Sequence, residues 1–427
     1  MKISPWSVAW NNRETENKLL DRSTRAIDTL VFALPVHDNS YNNTHSNIHS
    51  NIHNNDANEI GMSLHLQNID HAVGGDPHIT GVDLALEPGS FNVLLGRTLA
   101  GKTTLMRLMA GLEQPTRGRI YMDGKDVTGV SVRKRNVSMV YQQFINYPSL
   151  TVRDNIASPL KLARTPSQEI KRRVESIAEM LHIEHLLERY PQELSGGQQQ
   201  RTAMGRALVK DADLILFDEP LVNLDYKLRE ELRDELRELF KARNCIAVYA
   251  TTEPNEALAL GGNTAVLHEG RLLQYGPTER VYRQPNGRHT AEMFSEPPIN
   301  IVPGKLTSAD ITFDHSLHFP CDPDLQRLPA GDYDFGVRAS HITLERRSAN
   351  DLALDVRVDV AEISGSETFL HVHHARFPLV LHLAGIHEFN VNDAIQVFFP
   401  THQLYAFDKQ GNTVHVPAST QGGVTHG

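Results

Sequence analysis

The sequence predicts an α/β protein, a largely parallel sheet flanked by helices, followed by a smaller all-β region. Three observations predict it. Through the middle of the chain, short apolar runs alternate with amphipathic charged stretches. A turn ending in Gly-Lys-Thr-Thr joins one such run to a helical stretch. Past about Glu296 the pattern changes to short alternating runs punctuated by Gly, Asn and Asp.

Residues 1–61 are set apart first. Asn and His crowd Tyr41–Asn58, in the near-repeat THSNIHSNIHNN. So polar a tract cannot bury enough apolar surface to fold by itself. His45, His49 and His53 recur every four residues and would share one face of a helix, where they could ligate a metal. The Asn and Ser between them disfavour that helix. Ile27–Pro35 is apolar but short and follows acidic residues, so it does not read as a secretory leader. The segment is either a native tail or the result of an over-long choice of start codon. From Met62 the chain alternates at once (Leu64, Leu66, Ile69). Over 62–298, Phe91–Leu95, Val137–Tyr141, Leu214–Phe217 and Ile246–Ala250 read as buried strands. Gln168–Leu181 and Lys227–Arg243 read as amphipathic helices. This alternation of strand and helix predicts the parallel sheet. Pro297, Pro298 and Pro303 then mark a linker. Over 299–427, Tyr333–Arg338, Leu352–Val360, Thr368–His373, Leu379–Leu383 and Ala394–Phe399 read as strands of a small sandwich or barrel.

Composition excludes several classes. The 427 residues carry 42 Lys+Arg against 52 Asp+Glu, a formal net charge of −10, and no basic stripe to neutralise nucleic-acid phosphates. No run approaches the roughly 18 apolar residues of a membrane helix. Two cysteines, Cys245 and Cys321, are too few for a disulfide framework and are expected to be free packing residues of a reducing compartment.

Three motifs carry chemistry. Gly96–Thr104, GRTLAGKTT, fits G-x-x-x-x-G-K-[ST] between an apolar strand and a helix. In that pattern backbone N–H groups and a helix N-terminus face phosphate oxygens. Lys102 brings a cation to the terminal phosphates, and the Thr103 hydroxyl is placed for Mg²⁺. About 115 residues downstream, DLILFDEP (Asp213–Pro220) ends a strand in two carboxylates. Asp218 is the second candidate for holding Mg²⁺, and Glu219 the candidate base that orients or deprotonates the attacking water. Third, LSGGQQQR (Leu194–Arg201) places Ser195, Gly196 and Gly197 before a helix expected at Thr202–Leu208. It is either a second anion-binding turn, serving another chain's nucleotide, or simply a helix cap.

The ordered set of phosphate loop, Gln142 in VYQQF, LSGGQ, LILFDEP and LVNLD resembles the ATP-binding subunits of ABC transporters. The resemblance runs from Met62 onward. Tyr147–Ile156, Phe335–Ile342 (FGVRASHI) and Gly365–Val372 (GSETFLHV) are similar to the maltose and glycerol-3-phosphate importer branch. It implies a P-loop NTPase of the ABC type with a helical subdomain, then a small OB-like (TOBE) regulatory domain. Two such domains would pair head to tail. Gly96, Arg97, Thr98, Leu99, Ala100, Gly101, Lys102, Thr103 and Thr104 would bind ATP in cis. Ser195, Gly196, Gly197 and Gln198 would touch the partner's ATP. Gln142 would reach Mg²⁺ and the water, and Asn223–Asp225 would line the dimer contact. A helical segment at Phe144–Leu150 would receive a coupling helix of the permease. The implied partners are permease subunits, a second ATPase subunit and, indirectly, a periplasmic solute-binding protein, and no nucleic acid. The implied place is the cytoplasmic face of the inner membrane.

Three departures from the family pattern stand out. Thr252, in VYATTEP, occupies the position of a His that contacts the γ-phosphate. A hydroxyl can hydrogen-bond but has neither the reach nor the charge of imidazolium. The aromatic that stacks on adenine is missing, and the region offers only Val73 and His71. Leu99 and Ala100 replace small residues and a Gly, and Arg97 a Pro or small residue. All three fall on the chain's own nucleotide site, while Lys102, Asp218, Glu219 and LSGGQ are intact. The expectation is an impaired own site paired with a complete ATPase. A homodimer that tolerates Thr252 stays open. These departures resemble the glycerol-importer type with two unlike ATPase subunits, which implies glycerol or a related polyol as solute. A regulatory subunit that binds ATP with little hydrolysis is the competing reading. A soluble DNA-repair or ribosome-associated ATPase would carry paired cassettes, zinc modules or coiled-coil insertions, and none is visible. His371, His373 and His374 cluster on one predicted strand, either as a ligand site or as exposed strand histidines.

Overall fold

The computed structural model describes residues 63–417, except 223, 242, 314–316, 349–350 and 376. The His45–His53 tract, Met62 and Asn223 therefore lie outside the described residues. Four sheets and eight helices follow along the described chain. Strands β1 (Leu64–Val73) and β2 (Asp76–Leu86) form a hairpin, and β3 (Phe91–Leu95) leads into helix α1 (Lys102–Ala110). Then come β4 (Arg117–Met122), β5 (Lys125–Asp126) and β6 (Val137–Val140). Three helices follow, α2 (Val152–Leu162), α3 (Ser167–Met180) and α4 (Gly196–Leu208). The chain continues as β7 (Leu214–Asp218), α5 (Tyr226–Lys241), β8 (Ile246–Thr251) and α6 (Pro254–Leu260). It closes this region with β9 (Asn263–His268), β10 (Arg271–Pro277), α7 (Thr278–Arg283) and α8 (Arg288–Met293).

The central sheet has the order β10–β9–β3–β8–β7–β6. All of its pairings are parallel except β9–β10. Its two faces sort by alternation, as the pleat requires. Val93, Leu95, Ile215, Phe217, Ala247 and Tyr249 face the core shared with α2–α5. Leu94, Leu214, Leu216, Ile246 and Val248 face the core shared with α1 and the antiparallel sheet β2–β1–β4–β5. Strands buried on both sides read as unbroken apolar runs, which is why they stood out in the sequence.

Beyond Asn300 the structure is all-β, as expected. β11 (Asn300–Leu306), β12 (Asp310–Phe313), β13 (Leu317–Pro320), β14 (Gly331–Val337), β19 (Tyr405–Phe407) and β20 (Thr413–His415) form one antiparallel sheet. β15 (Leu352–Ser364), β16 (Glu367–His374), β17 (Phe377–Ala384) and β18 (Ala394–Phe399) form the other. Their inner faces share one core around Phe335, Leu354, Leu370, Leu381 and Val397. His371 and His373 each meet a carboxylate, Glu362 at 3.7 Å and Asp359 at 2.6 Å. Among the described residues no group of three or more His, Cys, Asp or Glu is placed to hold a metal. Cys245 and Cys321 are buried and free.

Two expectations need correction. Phe144–Leu150 is not helical; helix begins only at Val152, with Thr151 as its cap. Pro148 disfavours helical backbone at Tyr147. The fully buried Asn155 side chain takes up the carbonyls of Tyr147 (3.1 Å), Leu150 (2.9 Å) and Thr151 (3.0 Å), and accepts from Tyr147 N–H (2.8 Å). The helix expected from Thr202 starts instead at Gly196. Ser195 and Gln198 form a reciprocal capping box that stabilises a Gly-Gly first turn.

Candidate active site

The turn between β3 and α1 is shaped by what fits. A Cβ on Gly96 would lie 2.6 Å from Leu267 O, and one on Gly101 would lie 2.8 Å from Ile79 Cδ1 at φ +98°. Arg97, Thr98 and Leu99 are exposed, with Ala100 beneath them. Leu99 adopts φ +67°, the left-handed region that costs a non-Gly residue about 1–2 kcal/mol, and its side chain is 95 % exposed. The third departure is thus a backbone strain as well as a change of side chain. Helix α1 starts at Lys102, so its first N–H groups lie at the end of this turn, where a helix has no carbonyls of its own to offer them.

Around that turn the structure gathers five of the expected residues. Lys102 Nζ donates to Gly96 O at 2.7 Å and Arg97 O at 3.3 Å, and lies 3.3 Å from Glu219 Oε1. Burial pulls its pKa down, while Glu219 and then Asp218 pull it back up. Thr103 Oγ1 donates to Asp218 Oδ2 at 2.8 Å. Asp218 is 3 % exposed, and burial raises its pKa against that hydrogen bond. Gln142 Nε2 donates to Glu219 Oε2 at 3.0 Å. The hydroxyl and carboxylate oxygens of Thr103 and Asp218 make a hard-oxygen donor pair of the kind Mg²⁺ takes when it arrives on a nucleotide. The buried Asp218 carboxylate is the group such a cation would compensate.

The remaining residues lie around this centre. Thr252 follows the last residue of β8 and is half-buried. Its loop is fixed from behind, where Thr251 Oγ1 donates to Glu256 Oε2 at 2.5 Å and Tyr249 Oη to Glu256 Oε1 at 3.1 Å. Val73 is 48 % exposed beside the Gly74–Gly75 turn. His71 is engaged elsewhere, 3.2 Å from Glu113 and 3.0 Å from Gln114 O, so neither residue offers a free ring. Among the described residues no hydrogen bond joins Ser195, Gly196, Gly197 or Gln198 to the Gly96–Thr104 turn. They stand apart at the open start of α4, with Ser195 N donating to Gln198 Oε1 at 2.9 Å.

Sequence reasoning missed the struts between these parts. Asn146 Nδ2 donates to Gln199 O at 2.8 Å, Arg206 donates to Ile145 O at 2.6 Å, and the Arg206 guanidinium lies 5.0 Å from the Tyr147 ring. Gln200, 2 % exposed, donates to Pro220 O. The sequence offered no signal for this, since its helix was expected only from Thr202, beyond the three glutamines.

A family model described as "ABC transporter" matches residues 79–222. The chain is 35 % identical over 355 residues to the sn-glycerol-3-phosphate import ATP-binding protein UgpC of Brucella abortus (strain 2308), covering 82 % of this chain and 98 % of that protein. It is also 35 % identical to the Fe(3+) ions import ATP-binding protein FbpC of Vibrio cholerae, over 78 % of this chain and 95 % of that one. Identity to the xylose/arabinose import ATP-binding protein XacJ of Haloferax volcanii is likewise 35 %, over 82 % and 95 %. With the phosphate turn, the paired carboxylates and full-length relatives of this kind, the chain belongs to the ATP-binding subunits of ABC transporters and is an ATP hydrolase.

Proposed function

We propose that this chain energises an importer for a glycerol-type, polyol or sugar solute, and that its own nucleotide site is slow and works beside a complete second ATPase. In this reading 62–298 is the ATPase domain and 299–427 the regulatory one. Gly96–Thr104 cradles the phosphates, and Lys102 leaves Glu219 to meet them. Glu219 orients or deprotonates the water with Gln142 beside it. Thr103, Asp218 and Gln142 hold Mg²⁺, which would neutralise charge on the phosphates. Ser195, Gly196, Gly197 and Gln198 receive the partner's nucleotide. The chain sits on the cytoplasmic face of the membrane, docked on permease subunits that a periplasmic binding protein supplies. The solute class is carried by the relatives' names alone.

The single observation that carries the unequal pair is Thr252 at the end of β8. Its short hydroxyl stands where the γ-phosphate needs a long-reaching donor. The strained Leu99 and the missing adenine platform point the same way. ATP turnover of the full chain, alone and mixed with a complete ATP-binding subunit of the same importer, tests the proposal. Turnover alone should be slow and should rise about tenfold or more with Thr252→His, the worth of one well-placed charged group. In the mixture, turnover should be restored and survive Glu219→Gln in this chain. Fast turnover alone that Thr252→His leaves unchanged would sink the proposal in favour of a homodimer. No turnover in the mixture would favour a regulatory subunit.

A further inference from the structure

Glu219 has φ +49°. A side chain other than Gly stays in that region only when its surroundings hold it there. Three of its restraints are already named or local: its N–H donates to Ala250 O at 3.1 Å, and its carboxylate meets Lys102 and Gln142. The peptide that follows has an anchor of a different origin, the donor of Gln200 on Pro220 O. Gln200 is almost wholly buried, and its Oε1 has no hydrogen-bond partner among the described residues. An amide buried with half its capacity unused is costly unless the bond it does make is needed.

Its position on α4 gives the bond a direction. Gln200 lies on the turn after Ser195–Gln198, and its neighbour Gln199 offers the carbonyl that Asn146 holds at 2.8 Å. Two adjacent residues of one helix therefore secure both the turn after Glu219 and the loop after Gln142. That same helix opens with the turn proposed to face another chain's nucleotide.

We propose that Gln200 is a positioning residue for Glu219, tying it to the helix that begins at Ser195, so that nucleotide seated on Ser195–Gln198 resets Glu219 in the same chain. This inference rests on the roles proposed above for Glu219 and for Ser195–Gln198. Gln200→Leu keeps the volume and removes the donor, whereas Gln200→Glu keeps the shape and offers only acceptors to Pro220 O.

The test is amide hydrogen exchange of the full-length chain over 214–222, with and without Mg-ATP, with nucleotide retained by Glu219→Gln. Both Gln200 variants should speed exchange over 214–222 about fivefold, the loss of one net hydrogen bond, and leave 246–251 unchanged. ATP-dependent protection of 214–222 should vanish with them. In steady state, kcat should fall about tenfold while KM stays within about twofold, as expected when the base moves and nucleotide binding does not. Should Gln200→Leu not fold, Gln200→Glu decides alone. Wild-type exchange and protection in the variants would overturn the inference. If Glu219→Gln leaves the turnover of this chain on its own intact, it is the assignment of Glu219 that fails, a result separable from the first.

Discussion

His341 is a half-buried base in a positive neighbourhood. Burial first, then Arg338, His402 and Arg347, lower its pKa from 6.5 to about 4, and its Nδ1 has no hydrogen-bond partner among the described residues. The folded state therefore resists a proton that the unfolded chain accepts. Between pH 6.5 and about 4 the unfolded state binds more protons, so stability is full above pH 6.5 and is lost as pH falls through that window. Between pH 7 and pH 5 the loss is about 2 kcal/mol. Urea midpoints at the two pH values should show a gap that His341→Leu removes. Equal gaps in the variant and the wild type would refute it. Nothing in FGVRASHI announced this. The sequence placed His341 in a motif beside Arg338, but its partial burial and the approach of His402 and Arg347 are products of the fold. The same holds for Glu219, whose place at a strand end was legible while its φ was not.

At the scale of elements, legibility followed burial pattern. β3, β7 and β8 are apolar on both faces and could be read directly. Residues 144–150 could not, because a single polar side chain from α2 decides their path. Asn155 answers three carbonyls and one N–H at once, and Arg206 on α4 closes the loop from its other side. This is the segment expected to meet the permease, and in this chain alone side chains of the two helices already hold it. Asn155→Ala would leave several buried backbone groups unanswered, each worth about 1–3 kcal/mol, and should cost roughly 2–4 kcal/mol after water enters. Urea unfolding checks the magnitude. Chymotrypsin cleavage at Tyr147 should quicken before global unfolding. A variant as stable and as resistant as the wild type would show that the loop holds itself.

At the scale of the whole molecule, one buried cation secures the α/β region to the β region. Arg338, 3 % exposed, follows β14 and reaches back across the junction. Nη1 donates to Phe294 O at 3.0 Å and Ser295 Oγ at 2.5 Å, and Nη2 donates to Tyr282 O at 2.6 Å. The guanidinium lies 3.9 Å from the Tyr282 ring centroid and 5.5 Å from that of Tyr405. No carboxylate is among these partners, so carbonyls and ring faces replace the solvation lost on burial. Around it, Arg288 pairs with Asp334 at 2.9 Å and donates its N–H to Gly411 O at 2.8 Å, and Thr413 N–H donates to Asn286 O at 3.0 Å. Arg338 differs from this polar rim in that it is nearly fully buried while meeting both sides of the junction. Arg338→Met keeps the apolar length and removes every donor, leaving the Tyr282 and Phe294 carbonyls without it. It should cost about 2–4 kcal/mol. Because the loss falls on the junction and not within either core, the β region should begin to melt separately. Calorimetry should then resolve two transitions where the wild type shows one. A single transition shifted as a whole would place the stabilisation inside one core and remove Arg338 from the junction's account.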